Sequence, residues 1–171
     1  MKLILLLLLI STSAVADIDG LFSVGMGKDV LSHQNFERVG TLGVRYGKDW
    51  KVQANTGYYF APAEGQVSSY FGSLQGGLEV VGHSGIYSQA MFGPALVSAS
   101  RDSKLTGHFQ FHLATGVGIK SDNGYSLALI WSHLSNAGIE LPNIGRDLLT
   151  LQVIIPIVKT TPDCKDDPNV K

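Results

Sequence analysis

Apolar and polar residues alternate with a period of two along most of this chain, and the alternation restarts after each cluster of turn residues. In residues 50–60, Trp50, Val52, Ala54, Thr56, Tyr58 and Phe60 take turns with Lys51, Gln53, Asn55, Gly57 and Tyr59. Successive side chains of a β-strand point to opposite faces, so such a run gives one strand an apolar face and a polar face. Residues 37–46 set Leu42, Val44 and Tyr46 against Thr41, Gly43 and Arg45 in the same way. The next run opposes Tyr70, Leu74, Leu78 and Val80 to Ser69, Ser73, Gln75 and Glu79. A fifth, ending near Val97, opposes Ile86, Ala90, Phe92 and Leu96 to Tyr87, Gln89 and Met91. In the sixth, Phe109, Phe111, Leu113, Val117 and Ile119 face away from His108, Gln110, His112, Gly116 and Gly118. With a first strand over residues 20–27, a seventh from Tyr125 and an eighth over residues 146–158, the pattern predicts eight strands.

The connections alternate as well. Short turns at Gly47-Lys48-Asp49, Gly82-His83-Ser84-Gly85 and Ser121-Asp122-Asn123-Gly124 separate longer loops at residues 28–36, 61–66 and 98–105 and after Asn136. This layout predicts an all-β fold, an eight-stranded antiparallel transmembrane barrel of the outer membrane, apolar outside and polar inside. No stretch reaches the roughly 18 consecutive apolar residues of a transmembrane helix. Closed barrels are the other structure that satisfies its backbone in hydrocarbon. Residues 1–16 read as a secretory signal, with Lys2, an apolar run at 3–10 and Ala14-Val15-Ala16 as the cleavage site. That leaves residues 17–158 for the barrel and 159–171 for a polar C-terminal tail. If the N-terminus starts in the periplasm, the short turns are periplasmic and the long loops external.

Composition narrows the function classes. Lys and Arg number 13 against 14 Asp and Glu, a balance that argues against a nucleic-acid partner. The single cysteine, Cys164, excludes an internal disulfide framework and a multi-cysteine metal site, and reads as an incidental thiol in the tail. His108 and His112, with Gln110, Arg45, Lys51 and Glu79, read as the polar filling of a small barrel. No metal or cofactor is called for. Trp50 and Trp131, with Tyr58, Phe60 and Tyr70, read as membrane-interface residues. His33 and His83 fall in a loop and a turn and are assigned no role. The absence of a G-x-S-x-G elbow disfavours a soluble α/β-hydrolase.

The seventh strand carries the candidate chemistry. Its odd positions, Tyr125, Leu127, Leu129, Trp131, His133 and Ser135, share one face. A His and a Ser that continue an apolar row make sense where that row looks at lipid, at the height of a lipid's ester bonds. Residues two apart on a strand are roughly 6.5–7 Å apart, close enough for an imidazole to reach a hydroxyl. His133 then serves as base and Ser135 as nucleophile, with Asp147, heading the apolar row of the adjoining strand, to orient the imidazole. Asn136 and the backbone N–H groups of Ala137 and Gly138 are candidate donors to a developing oxyanion. Glu140, in the intervening loop, is a rival acid. All three triad residues are expected at the external rim, facing the lipid of the outer leaflet.

The run His133-Leu134-Ser135-Asn136-Ala137-Gly138-Ile139, followed by Pro142-Asn143, Gly145 and the acid at Asp147, resembles the C-terminal signature of the outer-membrane lipid A 3-O-deacylase family. Phe109-Gln110-Phe111-His112 and Gly116-Val117-Gly118 resemble it too. The match spans residues 105–155; earlier strands agree in architecture. The resemblance implies hydrolysis of the ester-linked 3-hydroxyacyl chain at position 3 of lipid A, with lipopolysaccharide and outer-membrane lipids as partners. It makes Ser135 the nucleophile, His133 the base and Asp147 the triad acid, gives Asn136 and the Gly138 amide the oxyanion role, and implies no metal. The chain departs from the family in two respects. Asp147 stands where the family has Glu, so its bond to His133 is expected to be longer or to need a local backbone shift. The last strand also continues into the tail instead of ending at an aromatic residue. Three readings stay open here: a lipid A esterase, a non-catalytic barrel for anchoring or adhesion, and an esterase or acyltransferase on phospholipids. A homodimer is likewise left open.

Overall fold

The computed structural model describes residues 17–29, 37–60, 69–98, 108–139 and 145–158. The leader, His33, Glu140, the tail and Cys164 lie outside the described residues. Eight antiparallel strands, each hydrogen-bonded to the next, close when β8 returns to β1. They are β1 (Ile18–Asp29), β2 (Glu37–Tyr46), β3 (Trp50–Phe60), β4 (Ser69–Val81), β5 (Ile86–Val97), β6 (Phe109–Lys120), β7 (Ser126–Ser135) and β8 (Arg146–Val158). Closure satisfies the ladder of every strand, which a lipid-embedded sheet requires because hydrocarbon offers no hydrogen-bond partner to an open edge. β1 is longer than its alternation suggests: Ile18 pairs with Val158 and Asp29 with Arg146, so β8 sets its ends.

The wall is inside-out relative to a soluble protein. Many buried residues along the strands are polar: Arg45, Lys51, Gln53, Gln75, Glu79, Gln89, Gln110, His112 and Gln152 all face the lumen. The outward row is apolar and exposed, including Leu42, Val44, Val52, Leu74, Phe92, Val117, Leu129 and Ile155. A soluble monomer rarely leaves a patch above a few hundred Å² of this kind uncovered; a band encircling a barrel belongs against acyl chains.

The lumen is filled in layers. Near the short turns, Arg45 lies between Asp19 and Glu79 at 2.9 and 2.7 Å, and Lys120 reaches the other Glu79 oxygen at 2.9 Å. A polar belt follows, around a cavity of about 30 Å³ lined by Ser23, Gln53, His112 and Gln152 among others. That is room for a water or two, not a pore. At the long-connection end, Val39, Tyr59, Phe71, Val97, Leu134 and Leu148 form an apolar plug, and Arg146 stacks on Tyr59 at 4.7 Å.

Candidate active site

β7 and β8 pair so that their outward rows meet: Leu127 with Val153, Leu129 with Leu151, Trp131 with Leu149, and His133 with Asp147. The first three pairs are exposed apolar side chains of the outer wall. The fourth, at the long-connection end, replaces hydrocarbon with a base and an acid. His133 Nδ1 lies 2.8 Å from Asp147 Oδ1, both side chains about one-third exposed. With Nδ1–H donating to the carboxylate, Nε2 is left as the proton acceptor of the ring.

The shorter acid does not lengthen this bond. Direct cross-strand neighbours have Cβ atoms only about 4.5–5.5 Å apart, so an Asp already spans the gap and the β7–β8 pairing runs through it without a shift of register. The Trp131 ring lies below, nearly parallel to the imidazole with centroids 6.2 Å apart. Reading Trp131 as an interface residue misses this contact; its position two residues before His133, on the same face, is the signal that predicts it.

Ser135 ends β7 on the same outward row, half-buried and paired across β6 with Phe111. Phe111 stacks on Phe92 at 5.8 Å and meets the edge of Phe109 at 5.2 Å, so the hydroxyl borders an aromatic stretch of the outer wall. Behind Ser135 and His133, Leu134 points the other way into the apolar plug and is fully buried. Inward packing of the even positions thus fixes the strand whose odd positions carry the polar groups.

The chain then turns sharply. The Ile139 N–H donates to Asn136 O at 3.1 Å, with φ of +54° at Ala137 and +83° at Gly138. Ala137 is the one non-glycine residue with positive φ among the described residues, a conformation costly for a side chain and concentrated at functional sites. Asn136, 2% exposed, accepts the Gly138 N–H on Oδ1 at 2.9 Å. The two residues expected as separate oxyanion donors are therefore bonded to each other, and the Gly138 amide orients the Asn136 carboxamide.

The other histidines stand apart. His112 faces the lumen with Nδ1 3.1 Å from Ser73 Oγ. His108 is exposed just before β6, with Nδ1 3.2 Å from Val97 O, and does not join the interior as the alternation suggests. The strand begins only at Phe109, which frees His108 from the alternation. No group of three or more metal-ligating side chains occurs among the described residues.

A family model described as lipid A 3-O-deacylase (PagL) matches residues 66–156, just over half of the sequence and nearly all of β4 to β8. The chain belongs to the lipid A 3-O-deacylase family. It is accordingly an ester hydrolase with the architecture of the outer membrane. The crystal structure of the outer membrane enzyme PagL superposes with a TM-score of 0.63 at 26% identity, over 81% of this chain and 99% of that one. Neisserial surface protein A (TM-score 0.59, 12% identity, 82% and 96% covered) and a de novo designed transmembrane β-barrel (0.54, 10%, 81% and 95%) share the fold. No curated protein matches the lipid A deacylase-family chain by sequence.

Proposed function

We propose that this member of the lipid A 3-O-deacylase family removes the ester-linked 3-hydroxyacyl chain at position 3 of lipid A by a Ser-His-Asp mechanism, with its site facing the outer leaflet. The observation that carries the mechanism is the 2.8 Å bond between His133 and Asp147 on the outer wall, on the row that ends at Ser135. Ser135 Oγ attacks the ester carbonyl while His133 Nε2 takes its proton. The tetrahedral oxyanion meets the Asn136 side-chain amide and the turn that follows, with Gly138 acting first by holding that amide in place. Collapse breaks the ester C–O bond, and His133 returns the proton to the departing sugar oxygen. Water, deprotonated by the same imidazole, then releases the hydroxy fatty acid and regenerates Ser135. Asp147 holds the ring and stabilises its charged form throughout.

Lipid A from a Gram-negative host expressing the chain is expected to lose the mass of one 3-hydroxyacyl group, read by mass spectrometry against a host carrying empty vector. Unchanged lipid A with newly formed lysophospholipid would replace this reading with the phospholipid one; no change in either would leave the non-catalytic barrel. Within the same assay, Asp147→Asn keeps the size of the side chain but removes the negative charge that stabilises the imidazolium. The rate is expected to fall roughly 10⁴-fold with the barrel intact. A wild-type rate would remove Asp147 from the mechanism and return attention to Glu140.

A further inference from the structure

Gly145 immediately precedes β8 and is buried. The β7–β8 ladder ends at Leu134 with Arg146, so Gly145 stands one step beyond it, on the side of the ladder where Ser135 lies. A Cβ built there would come within 2.4 Å of His133 Cε1, 2.9 Å of Nε2 and 3.5 Å of Nδ1. At Gly47, Gly85, Gly124 and Gly138 a positive φ accounts for glycine. At Gly145 the neighbours that leave no room for a side chain are ring atoms of the base.

The ring is thus anchored at Nδ1 by Asp147, faced by Trp131, and laid over the bare backbone of Gly145 along its Cε1–Nε2 edge. That edge carries the nitrogen that exchanges a proton with Ser135. From these contacts we infer that Gly145 is a positioning residue: it leaves the space in which the His133 ring keeps its bond to Asp147 with Nε2 turned to the side of the ladder where Ser135 lies. The inference rests on the Ser-His-Asp reading given above. A methyl group at this position has to push the ring outward, since contacts under 3.0 Å are not tolerated. The ring then loses its aim at Ser135, its bond to Asp147, or both.

The test compares wild type, Gly145→Ala, His133→Ala and the double variant as full-length barrels, following lipid A deacylation in mixed micelles. Gly76→Ala, whose added Cβ meets nothing within 4 Å, serves as the control glycine. Gly145→Ala is expected to lower kcat roughly 10²-fold, the effect of displacing a reacting group by about 1 Å, with KM little changed and the heat-modifiable band of a folded barrel retained. In the His133→Ala background, where residual catalysis remains measurable above the uncatalysed reaction, the same change is expected to have no further effect.

Three results would overturn the inference: a Gly145→Ala rate equal to that of Gly76→Ala, losses that multiply in the double variant to within about twofold, or failure of Gly145→Ala to fold, which would make the glycine an assembly requirement. If His133→Ala itself retained full activity, the underlying mechanism would fall instead, whatever Gly145→Ala does.

Discussion

Ser135→Ala is expected to abolish deacylation, by roughly 10⁵ to 10⁶-fold in kcat, while leaving the barrel folded. Loss of a nucleophile costs about as much as loss of a whole triad, because the remaining groups have nothing to activate. The structural cost is small. Ser135 closes β7 half-exposed on the outer wall, and neither the β7–β8 ladder nor the His133–Asp147 bond uses its hydroxyl. Two measurements check this: the time course of lipid A by mass spectrometry, and labelling by a fluorophosphonate, which reacts only with an activated serine. A variant that lacks the hydroxyl yet still sheds the acyl chain would show that the ester is attacked by another group.

The second large effect is on stability and lies at the opposite end of the molecule. Arg45 is 1% exposed and donates to Asp19, Glu79 and Gln89 at 2.7–3.2 Å. Arg45→Met preserves much of the volume but strands two carboxylates in the lumen, with Lys120 still at 2.9 Å from one of them. Breaking a buried pair by removing one partner costs about 3–5 kcal/mol. Unfolding in guanidinium, followed by tryptophan fluorescence in detergent, should show a midpoint lowered accordingly. Combining Arg45→Met with Asp19→Asn and Glu79→Gln should recover most of the loss, since the cost comes from uncompensated charge. If Arg45→Met alone unfolds at the wild-type midpoint, the cluster is not stabilising as a unit.

Much of this architecture can be read from side-chain alternation, because in a closed barrel each residue faces either lipid or lumen. β2 and β8 begin and end where the pattern places them, at Glu37–Tyr46 and Arg146–Val158. Features set by a partner strand cannot be read this way. β1 extends to Ile18 and Asp29 because β8 is there to pair with it. The alternation puts His133 and Asp147 on one face, but their standing directly opposite depends on register. Register also decides that an Asp reaches the imidazole without strain. The pairing of Asn136 with the Gly138 amide is equally hidden, since it depends on positive φ at two consecutive residues. Gly145 occurs among the family-like residues, but the contact that gives it meaning exists only in three dimensions.

If the outward-facing His133–Asp147 patch is the site proposed above, the direction in which it looks sets the kinetics of the reaction. On that reading, with the lumen filled from the Arg45 cluster to the Leu134 plug, reactant and both products would travel sideways through the leaflet instead of through the protein. The quantity governing turnover is then the mole fraction of lipid A in the surrounding film. Diluting that film with an inert amphiphile at constant bulk lipid A should slow the enzyme, while diluting the whole suspension with buffer should not.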